Sequence, residues 1–304
     1  MLFEKTEVKI QSARSEWMLD AWKYLPVPEQ GRTKPLPIIV MAHGFGANKR
    51  MGLAHYAEVF AAAGYACFVF DYRRWGASDG TPRQVLVVED QLEDYRTVIK
   101  YVRQQPEFDS QRLVLWGSSF SGSSIVIWST HEPTINAVAA MAQCPFTGTV
   151  PSLPFNFTSC KIVSSMLLDV IKQALGLAPV YIPIVAEPNQ VGALTSEGTQ
   201  SGMLAICKPD SSEYRNEIAA SALLQAASYQ PRLKAASVTC PLLIVLCTKD
   251  NLCLPEGVHQ ISKGTEKCEL VEIPCGHFDP YYGMSHHTES ITAQLEFLKK
   301  HAPI

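Results

Sequence analysis

The stretch Leu113-Val114-Leu115-Trp116-Gly117-Ser118-Ser119-Phe120-Ser121-Gly122 constrains this chain more than any other. Its apolar run reads as a short buried strand, and it stops abruptly in small residues where the chain must reverse into a helix. So sharp a turn crowds the backbone, and the positions two before and two after the residue at its apex must be small. Gly117 and Ser121 meet that requirement around Ser119. Ser118 does not, because Trp116 lies two before it. Ser121 has small neighbours, but it falls a turn into the helix, where its hydroxyl would not face the strand ends. A serine held clear of a sheet on a strained strand-to-helix turn is a candidate nucleophile, and here that serine is Ser119.

Strand-like and helix-like segments alternate on both sides of this turn, which predicts an α/β fold: a mostly parallel central sheet with helices on both faces. Thr6–Ile10 and Trp17–Tyr24 read as a two-strand lead-in. Pro37–Ala42, Ala66–Phe70, Arg112–Trp116, Ala137–Met141, Pro241–Cys247 and Glu269–Ile273 read as further strands. Tyr56–Ala63 reads as a helix. Leu92, Tyr95, Ile99 and Val102 recur at three- and four-residue spacing, so Val87–Val102 is an amphipathic helix. A last helix runs from about Thr288 to Lys300, with Ile291, Leu295 and Leu298 on one face.

Between Pro145 and Ser237 the alternation lapses. No strand is evident there, Met166–Leu175 and Ile218–Ala227 read as helices, and the linking segments are rich in Pro, Gly, Ser and Thr. The expectation is a core of residues 1–144 and 238–304, interrupted by a helical cap of residues 145–237 inserted before the strand that precedes the candidate acid. Met166, Leu167, Leu168, Val170, Ile171, Leu175 and Leu177 give the cap an apolar face. Most of that face is expected to pack on the core, and some of it to line a hydrophobic acyl pocket.

In open α/β sheets ligands bind beyond the carboxyl ends of the strands, so the residues just past each strand carry the functional information. Asp250 lies three residues past Cys247, and His277 four past Ile273. A serine hydroxyl needs a base within hydrogen-bond reach. His277 can take its proton and return it to the leaving group, while Asp250 fixes the imidazole tautomer and stabilises the imidazolium. Rival histidines are His286 and His287, at the start of the last helix, and rival acids are Asp210 and Asp279. An acyl intermediate also needs two fixed N–H donors for its oxyanion. The backbone N–H of Phe120 supplies one. His43-Gly44-Phe45-Gly46, after an earlier strand, allows the close approach that makes the N–H of Phe45 the other. Asp71–Gly80 reads as a structural loop whose arginines pair with acids.

Composition narrows the partners. With 26 basic and 29 acidic residues the net charge is −3, with no basic stripe, so nucleic acid and anionic membrane are poor candidates. No apolar run approaches membrane-spanning length, and Met1–Lys9 lacks the apolar core of a signal peptide. Nine cysteines without a Cys-x-x-Cys pair then read as reduced, buried apolar residues of a cytoplasmic protein. No phosphate loop, dinucleotide fingerprint or metal-ligand spacing is present, so neither a cofactor nor a metal is expected.

His43–Gly46, Asp71–Gly80, Gly117–Gly122, the Asp250 loop and Gly276–Gly283 together resemble the α/β-hydrolases related to X-Pro dipeptidyl-peptidases. Among these, the chain is most similar to the fungal polyketide transferases, whose likeness extends to Ile182–Pro188 in the cap. The resemblance implies the α/β-hydrolase fold. It also implies an acyltransferase or thioesterase that moves a polyketide acyl group onto Ser119, and from there to an alcohol, an amine or water. The donor would be a small-molecule ester or thioester, including one carried by the acyl carrier domain of a polyketide synthase. A general carboxylester hydrolase is the alternative, and a hydrolase-fold isomerase, cyclase or binding scaffold is the alternative of another class. With 27 residues following His277, the β-sandwich domain of a true X-Pro peptidase is not expected.

Overall fold

The computed structural model describes residues 2–27, 35–128, 135–149, 156–207 and 214–304. Its strands are β1 (Phe3–Gln11), β2 (Met18–Pro26), β3 (Leu36–Ala42), β4 (Ala66–Phe70), β5 (Phe108–Ser118), β6 (Ala139–Gln143), β7 (Tyr181–Ile182), β8 (Ile218–Ala219), β9 (Leu242–Cys247) and β10 (Cys268–Ile273). Eight of them form one sheet in the order β1-β2-β4-β3-β5-β6-β9-β10. The lead-in strands pair antiparallel, and from β4 to β10 every pairing is parallel. Every residue of β4, β6 and β9 is buried, as parallel strands covered on both faces require. That is why β4 and β9 read as unbroken apolar runs, and β6 as one up to Gln143.

The helices are α1 (Leu53–Ala62), α2 (Val88–Arg103), α3 (Phe120–Trp128), α4 (Phe157–Ala174), α5 (Thr199–Ile206), α6 (Ala222–Ser228), α7 (Pro255–Gly264) and α8 (His287–His301). Helix α2 buries Tyr95, Val98, Ile99 and Val102. Glu89 and Asp90 in its first turn and Lys100 and Arg103 in its last complement the helix dipole. The α/β-hydrolase architecture expected from the motifs is the one observed.

Three local readings are corrected. Ile218–Ala227 is not one helix: Ile218 and Ala219 pair with Ile182 and Tyr181 as a two-residue antiparallel ladder, and α6 begins only at Ala222. The segment between β6 and β9 therefore does contain strand. The third correction concerns the apolar face of α4. Leu167, Leu168, Val170, Ile171, Leu175 and Leu177 are exposed rather than packed on the core, and Met166 is half-buried. The side of α4 that turns inward holds Ser159, Ile162 and Asp169. The Asp169 carboxylate accepts hydrogen bonds from the N–H groups of Val180 and Ser221, both at 2.8 Å, which fixes the roll of the helix. Exposed Cys160 likewise departs from the buried-cysteine reading.

Behind the sheet ends lies a buried ionic hub. The Lys49 ammonium, fully buried, donates to Asp71 Oδ2 at 2.7 Å and to Asp20. Burial alone would lower its pKa, but the two carboxylates raise it above the usual lysine value, so the group stays charged. Asp71 Oδ1 also accepts from the Lys49 N–H at 2.6 Å. Arg73 pairs with Asp94 at 2.6 Å and Glu93 at 2.8 Å, and Arg74 pairs with Asp90 at 2.9 Å. The Asp71–Gly80 loop is thus held by ion pairs. Among the described residues, no helix is long and apolar enough to cross a membrane.

Candidate active site

Strand β5 ends at Ser118 and α3 begins at Phe120, which leaves Ser119 alone to make the turn. It does so with a φ of 55°, in the left-handed region that costs a non-glycine residue roughly 1–2 kcal/mol. Neighbouring strands hold it there: the Ser119 N–H donates to Gln143 O at 2.9 Å, and Ser119 O accepts from the Phe146 N–H at 3.0 Å. Next to it, Gly44 must be glycine. A Cβ there would lie 2.9 Å from Ser119 Cβ and 3.3 Å from Ser119 Oγ.

The sheet order places β9 beside β6 and β10 beside β9, and the loops that follow them converge on Ser119. Thr248 N–H donates to Ile273 O and Lys249 N–H to Cys275 O, tying the two loops together. The Asp250 carboxylate has a partner for each oxygen. Oδ1 accepts from the Leu252 and Cys253 N–H groups at 2.8 and 2.9 Å, and Oδ2 accepts from His277 Nδ1 at 2.6 Å. With Nδ1 donating, Nε2 of His277 is the acceptor, and it lies 3.1 Å from Ser119 Oγ. Burial opposes a charge on His277, but the Asp250 carboxylate outweighs it and raises the imidazole pKa well above the usual histidine value. Asp250 and His277 are buried, whereas Ser119 is half-buried and so reachable.

The chain at Phe45 follows the close approach of Gly44. Neither the Phe45 N–H nor the Phe120 N–H is taken by another described residue. Their rings meet edge to face at 5.7 Å, and Phe120 stacks on Phe146 at 5.4 Å, so the two loops share one apolar cluster. His43 is packed beneath, its Nδ1 bonded to Gly44 O. The rival residues are engaged elsewhere. His286 precedes α8, and His287 is bonded to Pro280 O at 2.9 Å. Asp279 accepts from the Gly276 N–H at 2.8 Å. Asp210 lies outside the described residues.

One neighbour escaped the sequence reading. Cys253 Sγ sits 3.9 Å from Ser119 Oγ, its thiol pKa raised by burial; no pattern in the sequence distinguishes it from the other cysteines. Two sets of metal-capable donors also come together among the described residues, Cys144–Asp250–His277 and Cys275–Asp279–His286. In the first, Asp250 and His277 already bind each other. In the second, the Asp279 carboxylate holds Gly276.

Residues between β6 and β9 touch both sides of the site. Ile184 packs against Gly46, Phe278 against Gly202, and Asn251 Nδ2 donates to Glu197 O at 3.0 Å. A cavity of about 420 Å³ lies on this side, bordered by His277, Phe278, Lys249, Thr199 and Met284, large enough for a small ligand.

Comparison with known proteins agrees with this architecture. The quorum-quenching protein AidA of Acinetobacter baumannii (strain MDR-ZJ06) is 34% identical over 97% of this chain and 95% of its own length. Polyketide transferase ATR5 of Stachybotrys chlorohalonatus (strain IBT 40285) is 27% identical over 87% of this chain and 89% of its own. The crystal structure of the α/β-hydrolase GrgF from Penicillium sp. sh18 matches with a TM-score of 0.79. It covers 99% of this chain and 100% of that one at 22% identity, a likeness of fold. The kinship with fungal polyketide transferases expected from the motifs is present among these relatives. The family model described as serine aminopeptidase, S33 matches residues 33–276, and the chain belongs to that family of α/β-hydrolases.

Proposed function

We propose that this protein is a serine-dependent acyl hydrolase or acyltransferase that draws the acyl group of a small-molecule ester or thioester onto Ser119. The observation that carries the reading is the hydrogen-bonded line from Ser119 through His277 to Asp250, built from three separate strand ends. As the Ser119 hydroxyl attacks the acyl carbon, His277 Nε2 takes its proton and Asp250 stabilises the imidazolium. The N–H groups of Phe45 and Phe120 receive the developing oxyanion, a contribution of about 3–4 kcal/mol per donor in such sites. His277 returns the proton to the departing alcohol or thiol, and water or another acceptor then releases the acyl group by the same steps in reverse. Residues 145–237 act as a lid, consistent with the contacts of Ile184 and Gly202 on the two catalytic loops.

For the acyl donor we assign a polyketide-type thioester, including one held on an acyl carrier domain. The kinship with ATR5 and the aromatic cluster around Phe120 support this. A second reading, hydrolysis of a small signal ester, is favoured by the similarity to AidA over nearly the whole chain. Both pass through the same acyl-enzyme, and mass spectrometry of products from acyl thioesters and esters, with and without alcohol or amine acceptors, separates them. For the acyl-enzyme itself, a fluorophosphonate should label Ser119. Ser119→Ala should lose both labelling and turnover, the latter by more than 10³-fold. Turnover near the wild-type rate in Ser119→Ala would exclude an acyl-enzyme on this residue.

A further inference from the structure

Helix α4 is amphipathic the wrong way round for a helix lying on a protein core. Its 18 residues make a rod roughly 27 Å long. Phe157, Leu167, Leu168, Ile171, Leu175 and neighbouring Leu177 are each more than half exposed. Rolling the helix to bury them would tear Asp169 from the Val180 and Ser221 N–H groups and from the Gln173 amide, which donates to it at 2.8 Å. An unpaired buried carboxylate is costly, so the apolar face is locked outward.

We propose that this face is the two-fold interface of a homodimer, in which α4 packs antiparallel on α4 of a second copy of this chain. Together the six side chains expose roughly 650 Å². That approaches the ~800 Å² each partner gives to a standard-size interface. A patch that meets itself across a two-fold axis needs no second complementary surface. Ser164, Leu168, Ile171 and Leu175 recur four, three and four residues apart, the spacing of a helix-packing seam. A lipid surface fits the face less well. Interfacial helices carry a lysine- and arginine-rich polar side, whereas the one exposed charged residue of α4 is Lys161, set over the Phe157 ring.

Sedimentation velocity of the full chain at micromolar concentration tests the assignment. The expected species has twice the 33.5 kDa monomer mass. Leu167→Glu/Ile171→Glu should sediment as a monomer, with an unchanged circular dichroism spectrum. In a Cys160→Ser background, Ser164→Cys, close to the midpoint of α4, should give a disulfide-linked dimer on mild oxidation. A monomeric wild type overturns the proposal, as does a dimer that survives the double glutamate variant. A monomer that co-sediments with phospholipid vesicles overturns it in favour of a membrane.

Discussion

Replacing Asp250 by asparagine is expected to lower kcat by about 10⁴-fold without unfolding the protein. The Leu252 and Cys253 N–H groups both donate to Oδ1, so an asparagine must keep its carbonyl oxygen on that side. Its amide then points at His277 with an N–H where the carboxylate had an acceptor. Nδ1 can only accept from it, the ring proton moves to Nε2, and Ser119 loses its base. The pH profile gives an independent readout. His277 acts as a base only when neutral, and Asp250 raises its pKa well above the usual histidine value near 6.5. In the wild type, kcat/KM should therefore fall as pH drops through a limb lying above 6.5, and in Asp250→Asn the residual activity should have its limb at lower pH. A variant within tenfold of wild type, or one with an unmoved limb, would remove Asp250 from the assigned role.

The second large effect is on stability. Lys49→Met should cost about 3–5 kcal/mol, because it leaves a charged partner buried without its counter-ion. Lys49 and Asp71 are both fully buried. Asp20 retains Lys9 at 2.8 Å, but Asp71 keeps only the Lys49 and Ala77 N–H groups and a histidine nitrogen 3.8 Å away. Urea denaturation should show a lower midpoint with an unchanged slope. The double variant Lys49→Met/Asp71→Asn should recover part of the loss, since it removes the stranded charge; a double variant no more stable than the single one would show that the pair is not the cause. Lys49 lies in the loop that carries Phe45, and Asp71 contacts that loop at His43 and Lys49, so the single variant should lose activity along with stability.

The candidate site was legible in the sequence because its members stand just past parallel strands: β9 and the end of β5 are buried apolar runs, while edge strand β10 shows as Leu270, Val271 and Ile273 set among glutamates. Ser119, Asp250 and His277 stand just past β5, β9 and β10, and the structure brings them into one hydrogen-bonded line. The close approach of the loop at Gly44 was legible for a related reason: glycines mark a backbone that must come close to something, here Ser119. The region between β6 and β9 was less legible. Periodicity tells which residues of α4 share a face but not which face turns inward. That was decided by Asp169 and two N–H groups distant in sequence. The strand at Ile218–Ala219 exists only because Tyr181 and Ile182 lie opposite. Cys253 reaches Ser119 across 134 positions, a proximity that no local pattern encodes.

Strands β6 and β9 are hydrogen-bonded neighbours, in register from Ala140 opposite Leu242 to Gln143 opposite Val245. The long excursion between them leaves the sheet and returns to it one strand away. Because the β6–β9 ladder is continuous in register across that excursion, an insertion at the gap can be exchanged without moving the strand ends that carry Ser119, Asp250 and His277. The seam between these two strands is thus a place where evolution, or an engineer, can exchange what surrounds Ser119 while Ser119 itself stays put.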